Sequence, residues 1–452
     1  MFSPTQTQAT VGVVIPSRSP DYPYNLTIGP SYFESYRTWP DTKFIHGFNL
    51  GKNSTANRAA LLQSVSHACK ALNGSNLLYW HLGNEPDLYK TSAQGIVRPS
   101  NWTEKAYVEE WLALKRAIKA ELAKACPGSE EVPWIAPSFA GTNNSLKPVK
   151  PWELGINVDK DIDMISSHKF VQPKPTILIR LITNSFLTSY IGGATQPGVT
   201  LQDTLMNHNK TVSSISNQVA VLKALEDRGL PFILGETNSL YNQGRPGLSN
   251  TFGAALWGLD FNLWCASQGI ARVHMHMGTN YRYASWMPID TNLTTKGTKA
   301  PYYGNIAVAS AIGDQSSGYT QVKNFPLPDP HAAAYATFLN WRVNRVVVIN
   351  MNSYNYTDGK NPTARPVSKY TFALPELCGR TATVQRLMAN GSDAITGITY
   401  NGYSYNYELD GGKPVLLTNV TTNEKLNVNA AGEFTLQVPY SSAAVVQLDC
   451  FY

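Results

Sequence analysis

Short apolar runs alternate with longer stretches whose apolar residues recur at three and four, from residue 44 to about residue 315, and this alternation admits few folds. Strands are expected over 44–50, 77–85, 134–137, 162–168, 231–236 and 271–276, with helices over 58–72, 104–125, 212–228 and 251–267 between them. Repeated strand and helix of this kind argues for a parallel barrel or a doubly wound sheet. Beyond about residue 318 the texture becomes β-only. Strands over 345–350, 370–374, 434–438 and 443–448 are separated by Asn- and Gly-rich turns such as Asp410-Gly411-Gly412. A chain of 452 residues, 43% hydrophobic, suits a barrel of ordinary size followed by a β-sandwich, and the boundary is expected between 317 and 318.

Two glutamates sit just past strand-like runs: Glu85 in Leu82-Gly83-Asn84-Glu85-Pro86, and Glu236 in Ile233-Leu234-Gly235-Glu236-Thr237-Asn238. Barrel strands present functional groups at their carboxyl ends. Two carboxyl groups delivered there, about 5 Å apart, are what a retaining glycosidase needs: a protonated acid/base and an ionised nucleophile. The alternative is that each is a solvated loop carboxylate after a strand.

Composition excludes more than it indicates. No stretch is long and apolar enough to span a membrane. The net charge of +6 is weak grounds for a nucleic-acid partner, because Lys169, Lys174 and Arg180 all fall in 169–189, a segment without an acid. Cys69, Cys126, Cys265, Cys378 and Cys450 show no metal-type spacing, and an odd number leaves at least one unpaired. His46, His81, His168, His274 and His276 lie in or at the ends of expected strands and read as interior or site-lining hydrogen-bonders, so no metal and no cofactor is implied. Sequons at Asn25, Asn53, Asn73, Asn101, Asn143, Asn209, Asn292, Asn355, Asn390 and Asn419 favour passage through the secretory route. Residues 1–16 nevertheless show no signal peptide.

Asn84-Glu85-Pro86 with Gly235-Glu236 about 150 residues on resembles the glycosidase clan whose acid/base ends barrel strand four and whose nucleophile ends strand seven. Within that clan, Trp80-His81-Leu82-Gly83-Asn84-Glu85-Pro86-Asp87, Ser166-Ser167-His168, Gly235-Glu236-Thr237-Asn238-Ser239, Arg272-Val273-His274-Met275-His276 and Arg386-Leu387-Met388-Ala389-Asn390-Gly391-Ser392 resemble glycoside hydrolase family 79 of fungi. That family holds β-glucuronidases and heparanase-like enzymes. The resemblance implies a (β/α)8 TIM barrel with a C-terminal β-sandwich and a glycan substrate carrying glucuronic acid or its 4-O-methyl form. It implies Glu85 as acid/base, kept protonated by the charge of Glu236 and by partial burial, and Glu236 as nucleophile. Asn84 would bond the sugar 2-hydroxyl, and Tyr241, Asn242, Gln243 and Gly244 would recognise the sugar carboxylate, with Tyr281 as a further uronate ligand. The alternative reading of 241–244 is a polar turn. His168 and Tyr190 would line the site; without the intervening 169–189, Tyr190 would stand near His168, where the family places a tyrosine that bonds the nucleophile. A different retaining β-glycosidase of the clan, or a non-catalytic carbohydrate-binding remnant, are the alternatives.

The chain departs from that family in two places. Only one convincing strand precedes the acid/base strand, so about two β/α units are expected to be missing from the front, which would leave an open, unstable and inactive barrel. Residues 169–189 interrupt a strand-to-loop junction with no clean period, as translated intron would, a genuine lid loop being the alternative.

Overall fold

The structure, a computed structural model, describes residues 2–7, 26–72, 76–92, 95–169, 190–291, 293–358, 364–374 and 381–448. The suspect segment therefore lies outside the described residues from 170 to 189. The chain divides into two compact units, Met1–Thr183 with Asn217–Thr237 and Ile270–His274, and Asn184–Ser216 with Asn238–Gly269 and Met275–Tyr452.

The first unit carries six parallel strands in chain order: β1 (Phe44–Phe48), β2 (Leu77–Leu82), β3 (Trp134–Phe139), β4 (Ile162–His168), β5 (Phe232–Thr237) and β6 (Ile270–Met275). Helices α1 (Thr55–Ala71), α2 (Glu104–Ala125) and α3 (Ser216–Ala224) follow the β/α alternation. Ser54 and Thr103 start α1 and α2 by accepting the amides of Asn57 and Ala106. β3 is buried at every position, as a strand covered on both faces must be. A disulfide, Cys69–Cys126, joins α1 to the end of α2.

The order is an open half-barrel: β1 and β6 are its two ends among the described residues. The helix-facing side of β1, the side of His46 and Phe48, carries an aromatic cover. Phe2 and Phe33 pack on the His67 ring, Phe33 also on His46, and the Tyr36 hydroxyl hydrogen-bonds His46 Nδ1 at 2.7 Å. A cavity of about 230 Å³ remains between this aromatic cover and β1.

In the second unit, α4 (Phe252–Ser267) and α5 (Ala300–Ile312) lie on a nine-stranded antiparallel sheet that includes β7 (Thr320–Phe325), β8 (Ala332–Leu339), β9 (Arg342–Asn350), β11 (Thr381–Met388) and β13 (Ser442–Leu448). The paired strands β10 (Val367–Ala373) and β12 (Glu433–Pro439) make the second layer. Strand alternation splits the β9 run between two cores: Val347 and Ile349 face the helices, Val346 and Val348 face β12. Burial on both faces explains why Val346-Val347-Val348-Ile349 reads as continuous apolar sequence.

Where one helix over 212–228 is expected, the chain forms a short helix His208–Ser214, then α3, then a 3-10 turn Glu226–Arg228. Ser214 and Ser216 hydroxyls donate to the carbonyls of Thr211 and Ser213, local bonds that compete with a continuous helix. No strand is expected over 332–339, yet β8 forms there: its Ala-Ala-Ala-Tyr-Ala has little intrinsic strand preference and is held by pairing with β7 and β9 on either side.

Candidate active site

Three residues of the first unit converge. Past β2, Gly83 turns the chain at φ 87°, where a Cβ would meet Leu50 at 3.0 Å. Glu85 then takes the left-handed conformation, φ 51° and ψ 52°, and opens the 3-10 turn Pro86–Leu88. For a residue with a Cβ this costs about 1–3 kcal/mol. The turn is held from both sides: the Glu85 amide donates to the Ser138 carbonyl at 3.1 Å, and the Leu88 amide to the Glu85 carbonyl at 3.0 Å.

β4 delivers His168 and β5 delivers Glu236, which lie opposite one another in the parallel register. His168 Nδ1 is 3.3 Å from Glu85 Oε1 and 3.8 Å from Glu236 Oε2. One polar atom from each of the three residues lies within 4.8 Å of the others. Gly235 permits this approach: a Cβ there would stand 2.3 Å from Ser166 Oγ and 3.2 Å from the His168 ring. The two side chains of the carboxylate pair remain partly open to solvent, at 17% and 23%, while that of His168 is 3% exposed.

Burial disfavours the charged form of His168, but its hydrogen bond to Glu85 and the charges of Glu236, Glu85 and Asp87 outweigh it and raise its pKa. The neighbouring His81 is pushed down to about 3, first by burial and then by His168 and His46. One imidazole is thus held toward the cation and the next toward the neutral ring. The spacing of Glu85, His168 and Glu236 also suits a cation site. When Nδ1, the atom facing both carboxylates, donates a proton to Glu85, it has no lone pair for a metal.

Beside Glu85 opens a cleft of about 490 Å³ lined in part by Asn49, Lys52, His81, Asn84 and Tyr89, with Asn84 exposed in it. Asn49 and Lys52 carried no signal in the sequence. Asp87 stood in the quoted motif without a role. It is fully buried and accepts hydrogen bonds from the amides of Ala140 (2.7 Å) and Gly141 (3.2 Å) and from Asn144 Nδ2 (2.8 Å). Burial pushes its carboxyl up to about 7 against the lowering effect of those donors.

The remaining expected site residues belong to the second unit. Tyr190 is buried, with Tyr241 and Tyr283 rings each 6.4 Å away, and Tyr281 lies 5.7 Å from Tyr283. Asn242, Gln243 and Gly244 are all left-handed, at φ 61°, 63° and 77°, so this segment is a tightly wound turn. Arg282 holds it: its own amide donates to Gln243 O at 2.8 Å and its Nε to Gly244 O at 3.2 Å. His276 Nδ1 meets the Tyr283 hydroxyl at 2.7 Å.

Residues 334–445 match the glycosyl hydrolase family 79 C-terminal beta domain. The chain is 53% identical to a β-glucuronidase of Aspergillus niger, across 99% of this chain and 81% of the relative, and 50% identical to a β-glucuronidase of Neurospora crassa, across 94% and 78%. Its fold is similar to the crystal structure of a 4-O-α-L-rhamnosyl-β-D-glucuronidase from Fusarium oxysporum, with a TM-score of 0.74 at 23% identity, covering 99% of this chain and 85% of that one.

Proposed function

The chain belongs to glycoside hydrolase family 79, and from that premise we propose that it removes β-linked glucuronic acid, or its 4-O-methyl form, from glycans with retention of configuration. The observation that carries the retaining mechanism is the approach of Glu85 and Glu236 oxygens to within 4.8 Å. Retaining enzymes hold their carboxyl groups about 5–5.5 Å apart, whereas inverting ones leave roughly 6.5–9.5 Å for a water.

In the first step Glu85 gives its proton to the glycosidic oxygen as the bond to the anomeric carbon breaks, and a Glu236 oxygen forms the new bond to that carbon. The leaving alcohol departs with that proton. In the second, Glu85 takes a proton from water, whose oxygen attacks the anomeric carbon and releases the Glu236 carboxylate. His168, bonded to Glu85 and facing Glu236, orients the pair. Asn84 in the cleft holds the 2-hydroxyl, and the family resemblance is the ground for assigning uronate recognition to the Tyr241–Gly244 turn, Tyr190 and Tyr281. Secretion is part of this reading: a disulfide and exposed sequons at Asn53, Asn101, Asn143, Asn209, Asn390 and Asn419 support it.

Aryl β-glucuronide and aryl β-glucoside assayed side by side test the substrate class. Turnover of the glucuronide alone is expected; preference for the neutral glycoside, or glucuronide binding without turnover, overturns the proposal.

A further inference from the structure

We infer that Asp87 is the positioning residue of the acid/base, its buried carboxylate tying the turn that carries Glu85 to the segment after β3. The inference rests on the glucuronidase reading of Glu85. The turn after β2 and the end of β3 meet through two left-handed residues, Glu85 at φ 51° and Ser138 at φ 57°, and the Glu85 amide donates to the Ser138 carbonyl. Neither conformation is favoured by a residue with a Cβ, so contacts beyond this one bond must hold them. Asp87 supplies those contacts two residues further on. Both of its oxygens are used: Oδ1 accepts from the Ala140 amide, and Oδ2 from the Gly141 amide and Asn144 Nδ2. The Ser145 hydroxyl donates to the Asp87 carbonyl, adding a fourth bond between the same two segments.

Three donors meeting on one fully buried group leave no room for an isostere. An asparagine at 87 would present an NH2 to at least one of them, replacing a hydrogen bond by two facing donors. The clamp would open on the side that fixes Glu85. Asp87 is fully buried while Glu85 and Glu236 stay partly open to solvent, so it acts through Glu85 and not on substrate.

That distinction sets the test. A displaced acid fails to protonate a poor leaving group but is not needed by a good one, so kcat/KM should fall selectively. Asp87→Asn is assayed on an alkyl glucuronide and on a 2,4-dinitrophenyl glucuronide, with Glu85→Gln as reference. A loss of about 100-fold on the alkyl substrate with less than about 5-fold on the dinitrophenyl one is expected. Asn144→Ala, which removes a single donor, should show the same selectivity at about 5- to 10-fold, and it decides the matter if Asp87→Asn does not fold. Equal losses on both substrates, or none, in the folded variant overturn the inference. If Glu85→Gln itself shows no selectivity, the assignment of the acid fails, and the inference with it; if it does and the clamp variants do not, only the positioning role fails.

Discussion

At the scale of residues, the candidate site is legible where its members are neighbours in sequence. Glu85 lies three residues past β2 and Glu236 one residue before the end of β5, and the motif around each is contiguous. Asp87 was not legible, because its partners at 140, 141 and 144 become neighbours only when β2 and β3 lie side by side. The same holds for Gly235, whose missing Cβ matters only because Ser166 and His168 stand opposite. Gly235→Ala should cost about 1–3 kcal/mol by overpacking and, by displacing His168, lower activity about 10- to 100-fold, read from a denaturation midpoint and kcat/KM together. Glu85, His168 and Glu236 are also the group whose atoms are close enough for a cation among the described residues. Since the proposed chemistry uses all three without one, exhaustive chelation should leave glucuronide turnover unchanged; loss restored by a divalent ion would reassign the triad.

Elements followed the apolar period where packing agreed with propensity, as in α1 and α2, and departed from it where tertiary pairing decided. β8 is a strand because of β7 and β9, and the expected helix over 212–228 breaks at its serines. The short helix His208–Ser214 is joined to α4 and β8 by a polar contact that no period reveals: His208 Nδ1 lies 2.9 Å from Asp260 Oδ1, which also accepts from the Tyr335 hydroxyl at 2.6 Å. Burial lowers the pKa of His208, but the hydrogen bond and charge of Asp260 prevail and raise it above 6.5. A raised folded pKa means that this contribution is fully present below the unfolded value, about 6.5, and is lost as pH rises through the folded one. Thermal stability should therefore decline on that limb, and His208→Gln should flatten it. His168, raised in the same direction, leaves a residual slope of the same sign, so the difference between the two proteins is the quantity to compare.

For the whole molecule, the order of a parallel β/α part followed by an antiparallel β part was readable from the change of period near residue 318. The pairing of the cysteines was not readable, because it depends on which helices pack together. Cys69–Cys126 closes a loop with a sequence separation of 57. On the chain-entropy account this contributes about 4 kcal/mol, so replacing both cysteines by serine should lower the unfolding free energy by about 2–4 kcal/mol in a urea titration. The expectation of an unstable, inactive chain rested on exposed strand ends; among the described residues β1 and β6 are such ends, and the aromatic cover shields the helix-facing side of β1. What matters for the proposed chemistry is that β2, which leads to Glu85, and β4 and β5, which carry His168 and Glu236, all lie within the six-stranded series. The most direct measurement of the central claim is covalent trapping with a 2-deoxy-2-fluoro-β-glucuronosyl fluoride, followed by peptide mass spectrometry. The account predicts one glucuronosyl ester, on Glu236 and absent in Glu236→Gln. A label on another residue, or turnover of glucuronide with inversion and no ester, would contradict it.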